Sequence, residues 1–153
     1  MKRVLLGLII GLALFGSTTM AADAPTPLVS TGSIVVHLSE YVPTHGMIVV
    51  SLAREKSEFV SAEVPVFRQA EFNPSGNSKS ISFENIPFGE YAVKAYQDRN
   101  ASKKLENVVG FPQEPTGYSN YHSGMLPPPF KKAKFSHQAS TTPVHVIIRN
   151  FKK

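Results

Sequence analysis

Cysteine is absent from this chain of 153 residues. That excludes a lipid anchor carried on a cysteine, a disulfide framework, a thiol nucleophile and any metal site built on thiolates. In an oxidising compartment such a domain is held together by packing alone. A long apolar run is also lacking: the one from Val4 to Phe15 is 12 residues, where a spanning helix needs about 20. There is no G-x-S-x-G elbow, no internal repeat and no stretch of convincing helical period. Arginines and aromatics do not interleave on a recognisable nucleic-acid module, which argues against a nucleic-acid partner.

The first residues are informative. MKRVLLGLIIGLALFGSTTMAADA places Lys2 and Arg3 before the apolar run and small residues at Thr19, Ala21 and Ala22 after it. This is the three-part layout of a secretory signal, expected over residues 1–21 with cleavage near Ala21 or Ala22. The expectation is therefore a periplasmic or secreted protein that is not integral to the membrane after cleavage. The alternative is a retained N-terminal anchor, which the short apolar run disfavours. About 130 residues then remain, enough for one domain with a core and too few for two. The formal net charge of +5 includes Lys2 and Arg3, so the mature chain is only mildly basic. Lys131, Lys132, Lys134, Lys152 and Lys153 read as solvated loop and edge-strand residues.

Residues 22–31 are rich in proline and small residues and read as a flexible lead-in. From there to residue 153, short runs alternate in the strand manner. Ile34, Val36 and Leu38 share a face, as do Ile48, Val50 and Leu52, and then Val144, Val146 and Ile148. VPVFRQAEF, ISFENI, GEYAVKAYQ and FKKAKF are the other extended stretches, and YVPTHG and NPSGNSKS are turns. About seven such strands predict an all-β domain over 32–153, a two-sheet β-sandwich that buries both apolar faces. Residues 98–129 do not fit the pattern, being 32 residues with five prolines and no clear strand. An interval this long is either a functional ordered loop or one that hides an unrecognised element.

Three pieces of the chain point to a family: FENIPFGEYA (83–92), GFPQE (110–114), and GYSN (117–120) followed by a proline run and Phe130. With these the chain resembles the secreted bacterial domains grouped as DUF2141, over about residues 32–150. The resemblance implies an immunoglobulin-like or transthyretin-like sandwich and implies no activity. Family members usually carry aspartate–x–asparagine–x–asparagine–glycine–lysine–leucine–aspartate after the tyrosine strand. Here Asp98 and Asn100 keep the first two oxygen donors, Ser102 replaces the third, Lys103 replaces the glycine and Glu106 the last aspartate.

Four chemistries compete for the long interval. Asp98, Asn100, Ser102 and Glu106 form the opening of a calcium loop, but the glycine position and the closing bidentate acid are missing and Arg99, Lys103 and Lys104 oppose a dication. The same residues suit a turn in which Asp98 and Asn100 accept from nearby backbone N–H groups. A hydrolase would need Ser119 and His122 to meet as nucleophile and base, and no orienting acid is evident. A transition-metal site through His122 and His137 has no recognisable ligand spacing. Recognition is the fourth: Tyr118, Ser119, Asn120, Tyr121 and His122 combine amphipathic rings with adaptable polar groups. The expected arrangement has Tyr118, Asn120 and Tyr121 at the surface and Phe111 and Phe130 packed inward. The sequence thus predicts an exported, non-catalytic binding module without a cofactor. Its partner would be an envelope protein, a glycan or a small ligand, and a calcium-stabilised module and a hydrolase centred near His122 are the alternatives.

Overall fold

The computed structural model describes residues 30–108, 111–124 and 126–150. The expected leader, most of the lead-in, and Val109, Gly110 and Met125 of the long interval lie outside the described residues. The elements in order are β1 (Thr31–Ser39), β2 (Met47–Ala53), α1 (Lys56–Val60), β3 (Arg68–Phe72), β4 (Ser78–Pro87) and β5 (Gly89–Asp98). They continue with β6 (Asn107–Val108), β7 (Phe111–Pro112), β8 (Thr116–Tyr118), α2 (Phe130–Ala133), β9 (Phe135–His137) and β10 (Thr141–Ile147). The described residues are all-β in character, with two helices of a single turn among them.

One sheet has the order β10-β1-β4, and a second runs β3-β2-β5-β8 with β9 also paired to β5. Strand alternation explains the core. Ile34, Val36, Leu38, Val144, Val146 and Ile148 of the first sheet meet Ile48, Val50, Leu52, Tyr91, Val93 and Ala95 of the second in one buried cluster. Between β1 and β10 the pairing is parallel, with Val36 opposite Val144 and His37 opposite His145. Those two histidines point away from the core, as their place in the alternation predicts, and their rings stack at 4.9 Å.

Strand β5 is covered on both faces. Ala92 lies on the side away from the main core and joins Ala53, Phe59, Tyr118 and Ala133 in a second, smaller cluster beneath α1 and α2. This is why GEYAVKAYQ lacks a clean polar face: six of its residues from Tyr91 on are fully buried.

The long interval is not structureless. It contains β6, β7 and β8, each of two or three residues and so too short to show a period. One expectation is corrected. FKKAKF is not a strand: after three prolines, Phe130–Ala133 makes a helical turn that sets Phe130 and Ala133 against the second cluster, and only Phe135–His137 extends. Lys56–Val60 is also a helical turn, locked where the Glu58 carboxylate accepts from the Arg54 N–H at 2.7 Å and its guanidinium at 3.0 Å.

Strand β8 ties the two sheets together. It pairs with β5 in the second sheet, while the Thr116 N–H donates to Arg149 O at 2.9 Å and the Arg149 N–H to Thr116 O at 3.0 Å, just past β10 of the first. The approach is close enough to need glycine: a Cβ on Gly117 would stand 2.4 Å from Ile147 O and 2.7 Å from Val146 Cγ1.

Candidate functional site

The outer face of β5 carries Ala92, Lys94, Tyr96 and Asp98 in alternation, and the long interval folds around them. Asp98, at its start, is buried. Its carboxylate accepts from the Ser102 N–H at 3.2 Å and the Lys103 N–H at 2.8 Å, and Asn100 Oδ1 accepts from the Ser102 N–H at 3.0 Å. Asn100 Nδ2 donates to Glu106 at 3.2 Å, and the Ser102 hydroxyl donates to Lys104 O at 3.0 Å. These oxygens therefore build a backbone turn. Ala101 and Lys103 sit in the left-handed region, φ 59° and 57°, so Lys103 occupies a conformation that suits the glycine usual in the family. Among the described residues no group of three or more histidines and acids is placed to hold a metal ion.

The GYSN stretch differs from expectation. Tyr118 is buried, not at the surface, because β8 is hydrogen-bonded to β5 and turns the ring into the second cluster, 5.7 Å from Phe59. Ser119 is fully buried. Its hydroxyl accepts from the Val93 N–H at 2.8 Å and donates to Ala133 O at 2.7 Å, leaving it committed to backbone rather than to His122. Asn120 is exposed at φ 52° and donates to Lys134 O at 2.9 Å; half-buried Tyr121 donates to Leu126 O at 3.0 Å; His122 is exposed. The other histidine considered for a metal, His137, is fully buried, with Nδ1 2.7 Å from the Thr142 hydroxyl and Nε2 3.2 Å from Ile86 O. Phe130 packs inward as expected, 5.8 Å from Phe59, and Phe111 is half-buried in β7.

Those five residues do not form one surface. Tyr118, Tyr121 and His122 border a dimple of about 10 Å³, room for a water and no more. Asn120 and His122 also line an open groove of about 330 Å³ whose far wall is Pro143, Val144 and His145. Tyr118 also lines, on its other side, a groove of about 300 Å³ with Phe59, Lys94, Leu105, Pro127 and Pro128. That groove adjoins a polar pocket of about 150 Å³ lined by Ser51, Gln69, Lys94, Tyr96, Lys103 and Lys104. Ala62, Lys94 and Leu105 line both parts.

Lys94 stands at this junction, half-buried, its ammonium donating to Phe59 O at 2.8 Å. Burial lowers its pKa from the ordinary lysine value. Burial, reinforced by Asp98, Glu114 and Glu71, pushes Tyr96 up to about 12, and burial likewise pushes Tyr118 up to about 12. Both phenols are therefore neutral at physiological pH, and the groove's charge is positive from Lys94, Lys103 and Lys104. Sequence reasoning missed Lys94. The signal was a single lysine amid apolar and aromatic residues, YAVKAY, on the face opposite Tyr91, Val93 and Ala95.

No helix among the described residues is long and apolar enough to cross a membrane. No curated protein matches the chain, and no solved structure does. The profile of a family described as an uncharacterized protein conserved in bacteria, DUF2141, matches residues 36–145, from the middle of β1 into β10. That span covers most of both sheets, the turn at Asp98, the GYSN strand and the floor and walls of the Lys94 groove, and on it the chain belongs to the DUF2141 family.

Proposed function

We propose that this is an exported, non-catalytic binding module with an immunoglobulin-like or transthyretin-like sandwich, in which the 98–129 segment supplies the walls of a recognition groove. The observation that carries the reading is that Leu105, Asn107, Tyr118, Pro127 and Pro128 of that one segment line the groove of about 300 Å³ over Lys94. The volume is at the lower end for small-ligand sites. Asp98, Ser119 and Asn120 spend their polar groups fixing the segment to the rest of the fold. A wall fixed in this way presents a surface at low ordering cost, which suits recognition. The basic groove, and the absence among the described residues of a positioned nucleophile and base, favour binding over bond cleavage. The layout of residues 1–24 supports a periplasmic or secreted location.

The test is capture from a bacterial envelope extract by immobilised protein, comparing wild type with Ala62→Trp. Ala62 is exposed on the groove rim, so an indole there fills the groove without touching the core. Something retained by wild type and lost by Ala62→Trp is the expected result. Equal capture of every bound species by both proteins overturns the groove as the working surface.

A further inference from the structure

The two parts of the groove differ in character, and the difference specifies a ligand. Phe59, Val60, Leu105, Pro127 and Pro128 give the larger part an apolar wall. The smaller part adds polar and charged groups, Ser51, Gln69, Tyr96, Lys103 and Lys104, to an apolar edge at Val64–Val66. Lys94 belongs to both and stands between them. An ammonium has three N–H donors, and the bond to Phe59 O accounts for one of them among the described residues. A half-buried cation that has lost part of its hydration is stabilised by an anion brought to it, more strongly than a solvated surface lysine would be.

Resting on the binding-module reading above, we propose that the groove takes a small organic anion with an apolar body. Its charged head lies against Lys94 and the Lys103–Lys104 side, and its hydrocarbon part lies between Phe59 and Pro127–Pro128. The arrangement disfavours two other classes. An inorganic anion would leave the apolar wall unused, and a cationic amphiphile would meet three lysines. The Ser51 hydroxyl is available to the head as a neutral donor, since its bond to Gln69 Oε1 is long at 3.4 Å. Of the acids that act on the neighbouring Tyr96, Asp98 accepts from the Ser102 and Lys103 N–H groups, Glu114 from the Arg99 N–H, and Glu71 from Gln69 Nε2 at 2.8 Å.

The probe is decanoate, titrated into the purified protein and followed by calorimetry and by amide shifts, with acetate, inorganic phosphate and decyltrimethylammonium as the other arms. Saturable decanoate binding is expected, with the largest shifts at Phe59, Lys94 and Leu105. Acetate and phosphate should bind more weakly for want of the tail, and decyltrimethylammonium for its sign. Lys94→Met should weaken decanoate by about tenfold or more, the scale of one charge-assisted hydrogen bond. Ala62→Trp should abolish binding with the fold intact, and Lys104→Glu should weaken it even where Lys94→Met fails to fold. Equal affinity for the cationic amphiphile, shifts that map away from the groove, or unchanged affinity in Lys104→Glu and Lys94→Met would overturn the inference. Failure of decanoate while Ala62→Trp still loses captured material removes this ligand class and leaves the groove standing. Failure of both removes both.

Discussion

Glu114 has two carboxylate oxygens inside the protein, and Oε1 accepts from the Arg99 N–H at 3.1 Å. Oε2 is buried without a hydrogen-bond partner among the described residues. Its pKa is raised by burial first and by the neighbouring Asp98 and Glu106 next, against the opposing pull of the Arg99 N–H. Asp98 is an acceptor, so Oε2 gains a bond to it only by carrying a proton. The sign of the linkage follows. The unfolded chain ionises in the ordinary carboxylate range while the folded protein holds the proton, so stability falls as pH rises from that range through the raised folded value. Glu114→Gln keeps an acceptor for Arg99 and removes the charge. Its melting temperature should exceed that of wild type at pH 8, with the gap closing near pH 4, where wild-type Glu114 is neutral as well. Thermal melts at the two pH values check this, and a gap of equal size at both would exclude titration of Glu114 as the cause. At this scale the sequence was readable in part. Asp98 and Asn100 were legible as turn formers because such turns are local. Glu114 was not, since its neighbour Asp98 is sixteen positions away and only folding brings them together.

At the scale of elements, β8 shows where pattern reading stops. Three residues cannot display a period, and tyrosine, serine and asparagine in a loop have the composition of a contact surface. Pairing with β5 decides otherwise, turning Tyr118 inward and giving Ser119 to the Val93 and Ala133 backbone. The longer strands were legible because Ile34, Val36 and Leu38, and Val144, Val146 and Ile148, alternate over enough positions to fix a face. The two helical turns were not, being shorter than the period that identifies a helix. The role of β8 as a tie between sheets gives a direct test at Gly117. Gly117→Ala places a methyl against Ile147 O and Val146 Cγ1, so β8 must retreat from β10 or from β5. A loss of about 1–3 kcal/mol is expected, the range of overpacking substitutions, read as a lower denaturant midpoint. An unchanged midpoint would mean that the contact between the sheets relaxes freely and that β8 is not a tie.

For the whole molecule the all-β class followed from alternation and turn spacing, while the way the sheets close did not. No residue pattern in β1 announces that its partners are β4 on one side and β10 on the other. Buried tyrosines are spread through this architecture. Burial raises Tyr41 and Tyr91 in the main core, and Tyr96 and Tyr118 reach about 12 on the second sheet's other face. For such groups the stability held below pH 10 is lost as pH climbs through the folded value, amounting to about 3 kcal/mol for Tyr118. Tyrosinate absorbance and circular dichroism followed together should show late ionisation merging with cooperative unfolding near pH 12. Full ionisation near pH 10 with the fold intact would contradict the burial of these rings. The parallel contact of β1 with β10 also has a consequence in time. The central strand of the first sheet comes from one end of the domain and a neighbour from the other, so a chain delivered N-terminus first, from a ribosome or through a translocation pore, cannot close that sheet until Thr141–Ile147 has emerged. Contacts of such long separation fold slowly, and until then the edge of β1 that β10 will cover stays open.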